Sequence, residues 1–175
     1  PYRTNICPGL PFTKKHTYWF FLSVLTFYLA VGSPLDAMGE NFLFSAHMIQ
    51  HNILMYTCPL FFLLSLPEQL VDQVFEKNPV LEKSAKFLFH PIIAGLCFTL
   101  IFSFWHIGAF YEAAIRDKTI HMAEHLSMYL SSIAMWWPVC GPSKRVPPLR
   151  FGPQMLYILA LMLGQTPIFA FLTFS

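Results

Sequence analysis

The sequence predicts an all-α polytopic transmembrane helix bundle, and three observations lead to this prediction. Hydrophobic residues make up 55% of the 175 residues and charged residues only 11%, so the mean hydropathy is +0.52. A chain of this size cannot bury so much apolar surface as a water-soluble domain. The apolar residues also fall into stretches of about 20, the length of a helix that crosses a bilayer. Helices follow because unpaired backbone groups are costly in hydrocarbon.

Five apolar stretches are long enough to be spans, and each ends at a recognisable signal. The first follows Lys14 and Lys15 and stops at Gly32-Ser33-Pro34, and the second stops before Pro67. The stretches cover residues 16–33, 42–66, 87–104, 119–138 and 152–174. The segments between them carry charges, Gly and Pro, and we expect them to be turns or polar loops. Residues 1–175 are therefore expected to form one transmembrane domain of about five spans.

The distribution of basic residues predicts how the chain is oriented. Nine of the 11 Lys and Arg residues fall on one side of the five spans: Arg3, Lys14, Lys15, Lys77, Lys83, Lys86, Lys144, Arg145 and Arg150. The other side has Arg116 and Lys118. The positive-inside rule then places the N-terminus in the cytoplasm. The lipid bilayer is thus an expected partner, whereas a net charge of +2 is too weak to suggest nucleic-acid binding.

Five of the seven histidines converge on one predicted depth, near the outer face of the membrane. Within two spans they are spaced four residues apart, which places both imidazoles on one helix face. Ionisable residues inside a membrane are costly and usually functional. The five are His47, His51, His106, His121 and His125. This pattern predicts a metal or cofactor site, whereas His16 and His90, on the cytoplasmic side, are expected to anchor the interface.

The residues around the five histidines favour copper as the metal. Imidazole suits zinc, copper, iron and nickel, and thioether neighbours shift the preference towards Cu(I). Met55 follows His51 on the same predicted helix face and is the candidate sulfur ligand. Zinc stays open as an alternative, because neutral imidazoles bind it equally well.

Two other chemistries fit parts of the same pattern. The run HMAEH over residues 121–125 matches the HxxEH motif, in which two histidines bind zinc and the glutamate is a base. The match is short, and such an enzyme also needs a substrate cleft. Paired histidines on facing helices can alternatively hold a b-type haem for electron transfer. Glu124 can also act simply by orienting a neighbouring imidazole.

Several motifs in this order resemble a known family, the cytochrome c oxidase assembly factors of the CtaG type, associated with caa3-type oxidase. The similar segments are Ser33-Pro34-Leu35, the run FSAHMIQHNILM over residues 44–55, FWHIGAFY over 104–111, HMAEH over 121–125 and Trp136-Trp137-Pro138. The resemblance extends from about Thr13 to the end of the chain. The histidine blocks are specific in this order, more so than any one of them alone.

The resemblance implies a non-enzymatic protein of the bacterial inner membrane that helps mature cytochrome c oxidase by helping copper reach it. Oxidase subunits are then the expected partners. The five clustered histidines occupy the family's histidine positions. Seven spans are typical of the family, so the given residues would be a fragment of a longer chain. A haem-binding electron-transfer subunit and a structural accessory subunit of a respiratory complex stay as alternatives.

Overall fold

The computed structural model describes residues 13–41 and 44–174, and all of the regular structure within them is helical. The all-α prediction is therefore confirmed for this part of the chain. In chain order the elements are α1 (Lys14–Val31), α2 (Pro34–Asn41), α3 (Phe44–Asn52), a π-helix (Ile53–Thr57), α4 (Cys58–Ser65), α5 (Glu68–Lys77), α6 (Pro79–Leu88), α7 (Pro91–Trp105), α8 (Gly108–Arg116), α9 (Lys118–Cys140) and α10 (Phe151–Phe174). Arg3 and Cys7 lie outside the described residues.

The described helices support a membrane protein but not a definite number of spans. One stretch, Lys14–Asp36, is long and apolar enough to cross a bilayer by itself. Two bent pairs qualify only if each is a single span: Ser45–Ser65 with Glu68–Lys77, bent by 82°, and Pro79–Leu88 with Pro91–Trp105, bent by 69°. By length and composition the described residues therefore contain one span, or up to three. The five spans stay a prediction.

Three of the four segments expected to be turns or polar loops contain helices, namely α2, α5, α6 and α8, so the expectation was wrong for these three. Residues 141–150 form a loop, as predicted. The charges taken as loop signals belong to helix ends. In α5, Glu68 lies in the first turn and Lys77 in the last, where they complement the helix dipole. Asn78 then caps α6, because its side chain accepts a hydrogen bond from the Leu81 amide at 3.1 Å.

The second predicted span is helical but not uniform. Its middle turn, Ile53–Thr57, is a π-helix that begins two residues after His51. A π-turn adds a residue to the helical repeat, and Pro59, four residues after Met55, has no amide to donate to the Met55 carbonyl. The Met55 carbonyl accepts a hydrogen bond from the Trp136 indole nitrogen at 3.2 Å. The π-turn therefore changes which face of α4 continues the face of α3. The hydrogen bond from Trp136 connects the π-helix to α9.

Helix α9 lies at the centre of the bundle and packs against α4, the π-helix, α7 and α8. The apolar core is formed by Met55, Phe98, Phe102, Met128 and Met135. Helix α1 packs along α4, where Ser23 and Cys58 are both buried and the Ser23 hydroxyl donates to the Cys58 carbonyl at 3.3 Å. The histidine-bearing turns lie directly above this core, since the rings of Phe102 and His106 are 4.0 Å apart.

At the other end of the bundle, Asp72 of α5 organises the turn that follows α9. Its carboxylate accepts hydrogen bonds from the Ser143 hydroxyl at 2.6 Å and from the amides of Lys144 and Arg145 at 3.1 and 3.3 Å. Partial burial raises the pKa of Asp72, but these hydrogen bonds outweigh it and hold the pKa below its usual value. Ion pairs of Lys144 with Glu68 and of Arg145 with Glu82 join the same segments.

Replacing Asp72 with Asn is expected to loosen this end of the protein. Because the folded-state pKa of Asp72 is lowered, its stabilisation is present above the unfolded-state pKa and is lost as the pH falls through the folded-state value. We expect Asp72→Asn to cost about 1 kcal/mol near neutral pH and to weaken the acid dependence of thermal unfolding in detergent. Glu112→Gln, at an exposed carboxylate, is the control, and equal pH profiles for both variants would contradict this role.

Candidate metal centre

Three helices bring histidine side chains together at the end of the bundle opposite Asp72. Helix α3 carries His47 and His51, one turn apart, and α9 carries His121 and His125 with the same spacing. His106 follows the last residue of α7. The i, i+4 spacing places each pair on one face, and the packing turns both faces towards each other.

The imidazole rings of all five predicted histidines lie in one cluster. Within each pair the ring centroids are 4.1 Å apart. Between the pairs, His47 and His121 are separated by 5.9 Å and His51 and His125 by 5.4 Å. His106 lies 5.9 Å from His51. The structure thus brings together five histidines that are up to 78 residues apart in the sequence, although their role in metal binding stays a prediction.

Two carboxylates complete the cluster and divide it into two donor groups. In the first, one ligand atom each from His47, His51 and Glu124 lie within 4.8 Å of one another. In the second, Asp36 joins His121 and His125 within the same limit. His51 Nε2 lies 3.7 Å from Glu124 Oε1. Each group therefore has two nitrogen donors and one oxygen donor.

Many of these donor atoms are buried and lack hydrogen bonds. The exposed fractions of His47, His51 and Glu124 are 2%, 1% and 0%. Within the part of the chain that the structure describes, no hydrogen-bond partner reaches either carboxylate oxygen of Glu124, either ring nitrogen of His51, or Nε2 of His47, His106 and His125. Buried polar atoms left in this state are costly. A metal ion bound by nitrogen and oxygen would remove that cost, so these residues fit a metal site.

His106 has one ring nitrogen committed and the other available. Its Nδ1 lies 2.7 Å from the Phe102 carbonyl oxygen, which can only accept a hydrogen bond. Nδ1 must therefore carry the hydrogen, and Nε2 keeps its lone pair. Proteins orient metal-binding histidines by a hydrogen bond of this kind from the ring nitrogen that does not face the metal.

The other residues singled out in the sequence lie outside this cluster. Met55 is 2% exposed and packs in the apolar core with Phe98 and Met128, below the histidines. His90 is exposed at the start of α7, and His16 lies at the start of α1, where its ring interacts with Thr13. The interface role of these two histidines stays a prediction.

Sequence reasoning missed Asp36 and Gln50. Asp36 precedes His47 by 11 residues and has no spacing relation to it. The structure links the two helices through the fully buried Gln50, whose amide nitrogen donates to Asp36 Oδ1 at 2.6 Å and to the Ala30 carbonyl at 2.8 Å. An amide within an apolar stretch, three residues after His47, was the available signal.

Comparison with protein families identifies the family of this chain. The model of the family described as cytochrome c oxidase caa3 assembly factor (Caa3_CtaG) matches residues 2–175, nearly the whole chain. Comparisons with curated proteins and with solved structures gave no match. The family match confirms the resemblance seen in the histidine motifs.

Proposed function

Since the chain belongs to the cytochrome c oxidase caa3 assembly factor family, we propose that it supports oxidase assembly by binding copper as cargo at the histidine cluster. Subunits of the oxidase are the partners that would receive this copper. Assembly is not a turnover reaction, and the proposed role needs binding and release of an ion rather than a catalytic group.

The observation that carries this proposal is the buried set of imidazole and carboxylate donors. A membrane protein gains nothing in packing from five histidines and a glutamate at one level of its bundle, because each polar group has to be desolvated. A bound ion offsets that cost, and imidazole is a good ligand for copper. Met55, the predicted sulfur ligand, packs in the core below the histidines, so the donors of this site are nitrogen and oxygen, and zinc is the competing ion.

The packing of the rings argues against the alternatives for this site. A haem needs a flat slot between two axial imidazoles, whereas the rings of His51 and His125 lie 5.4 Å apart with Glu124 beside His51. A peptidase needs its glutamate to face a substrate, and Glu124 is 0% exposed. The geometry therefore favours neither haem binding nor peptidase catalysis at this site.

We also place the protein in the bacterial inner membrane with its N-terminus in the cytoplasm. Two of the basic segments assigned to that side meet in space, where Lys144 pairs with Glu68 of α5 and Arg145 with Glu82 of α6. Residues on opposite sides of a membrane could not form such pairs. The histidine cluster would then face the extracytoplasmic side.

Reporter fusions test this orientation. Fusions after Lys83 and after Arg145 are expected to be cytoplasmic, and a fusion after Lys118 is expected to be external, because of the positive-inside rule. Alkaline phosphatase and a fluorescent protein, active on opposite sides, provide the measurement. The reversed result would move the histidine cluster to the cytoplasm and refute delivery from the outside.

Elemental analysis tests copper binding itself. The full chain, purified in detergent and loaded with copper, is expected to hold copper, and a variant with His51→Ala and His125→Ala is expected to lose most of it. A His16→Ala, His90→Ala variant is the matched control and should keep its copper. The absorption spectrum distinguishes bound haem, which gives strong Soret bands, from bound copper. A haem spectrum, or equal copper in both variants, would contradict the proposal.

A further inference from the structure

The histidine cluster is not evenly buried, and this difference suggests a path through it. The donor group of His47, His51 and Glu124, which we term the inner group, is closed off by protein on all sides. The group of Asp36, His121 and His125, which we term the outer group, borders a cavity of about 390 Å³. Phe27, Val31, Lys118, Met122, Leu126 and Tyr129 line the rest of this cavity.

We propose that a metal ion first binds the outer group, reached through this cavity, and then moves to the inner group. This inference rests on the proposed function and adds a second position and a direction to it. The ion exchanges ligands without changing its oxidation state. Each group supplies two imidazoles and one carboxylate, a donor set that suits divalent copper or zinc.

The distances between the groups support a short transfer. His47 stacks over His121 with ring centroids 5.9 Å apart and an interplanar angle of 24°, and the rings of His51 and His125 are 5.4 Å apart. An ion can therefore move between the groups by exchanging one imidazole ligand for a neighbouring one. The inner group shares α3 with Gln50, which holds Asp36 by a hydrogen bond of 2.6 Å, so the two groups are joined mechanically as well.

The carboxylates set the two positions apart. Asp36 is half-buried and lies at the cavity, whereas Glu124 is fully buried. A half-buried carboxylate can capture a hydrated cation at low desolvation cost. A buried carboxylate stabilises an ion only after its water has been lost, because electrostatic attraction is stronger in the low-dielectric interior.

Copper stoichiometry and loading rate test the two positions. The detergent-purified full chain without metal is mixed with Cu²⁺, and bound copper is measured over time by elemental analysis after desalting. We expect two ions per chain at saturation, and one ion for Asp36→Asn or Glu124→Gln. Asp36→Asn should also load the remaining ion about tenfold more slowly, at the low end of the 10- to 100-fold losses of affinity or activity that metal sites show when a supporting group is removed. Glu112→Gln, at an exposed carboxylate of α8, is the control and should match wild type.

A second pair of variants tests the cavity without touching a ligand. Leu126 lines the cavity and is 57% exposed, and Leu130, one turn further along α9, is 55% exposed but is not among the lining residues. Leu126→Trp should slow copper loading several-fold and leave the final stoichiometry unchanged, whereas Leu130→Trp should have no effect. Two results would overturn the two-position path. One is that the wild-type chain binds a single ion and that either carboxylate variant abolishes its binding. The other is that the two Trp variants load copper at equal rates. Wild-type protein that binds no copper would instead refute the proposed function.

Discussion

Cells whose only copy of this protein carries His51→Ala and His125→Ala are expected to assemble cytochrome c oxidase with haem but with too little copper. The physical reason is that each substitution removes a nitrogen donor from one of the two donor groups. The measurement is the copper-to-haem ratio of the purified oxidase. Extra copper in the medium should restore part of the ratio, because uncatalysed loading increases with concentration.

Loss of stability could imitate this result, so the design includes a control for it. Removing a buried imidazole leaves a cavity, at a cost of about 1 to 3 kcal/mol. The variant protein must therefore still accumulate in the membrane, as measured by immunoblot. Met55→Leu keeps the core volume and removes only the thioether, so it separates a sulfur ligand from core packing. A normal copper-to-haem ratio with the stable double variant would end the delivery hypothesis and favour a structural accessory role.

Gly141→Ala is expected to destabilise the protein by about 1 to 3 kcal/mol, the usual cost of forcing extra volume into a packed site. A Cβ at Gly141 would lie 2.5 Å from the Trp137 indole and 2.7 Å from the Trp137 carbonyl oxygen. The indole cannot move away easily. It stacks on Phe89 with centroids 4.1 Å apart, and its nitrogen donates to the Val146 carbonyl at 3.0 Å.

Thermal unfolding in detergent is the measurement for this substitution. Gly108→Ala is the matched control, because a Cβ there meets no described atom within 4 Å. Gly108 is also the first residue of α8, so both glycines lie at helix ends. We expect a lower melting temperature for Gly141→Ala and little change for Gly108→Ala. Equal melting temperatures would mean that the Trp137 environment is more yielding than the close approach indicates.

The long helices and the level of the histidines could be predicted from the sequence, because both depend on local pattern. The predicted stretches 16–33, 119–138 and 152–174 correspond to α1, α9 and α10 within two residues at each end. The third predicted stretch, 87–104, starts four residues earlier than α7. His90 and Pro91 start a new helix there, since a proline lacks the amide needed to continue the previous one.

The short helices and the π-turn could not be predicted in the same way. Charge and proline in 66–86 indicate polar loops, yet they are also the signals of helix ends, and only packing against α9 and the following turn decides between these readings. Because Pro59 has no amide at the position that would normally donate to the Met55 carbonyl, this carbonyl needs a partner from elsewhere in the chain. Trp136, 81 residues after Met55, provides it.

The sequence by itself determined the apolar composition, the helical backbone and two pairs of histidines with their i, i+4 spacing. These follow from composition and from the helical repeat, which act over a few residues. Only the tertiary structure decided which carboxylate joins which histidine pair. Glu124 lies between His121 and His125 in the sequence, yet it joins His47 and His51, because its side chain points across the bundle from α9 to α3. Asp36 completes the other pair because the packing of α2 against α3 brings it there, a contact between helices that no local spacing encodes.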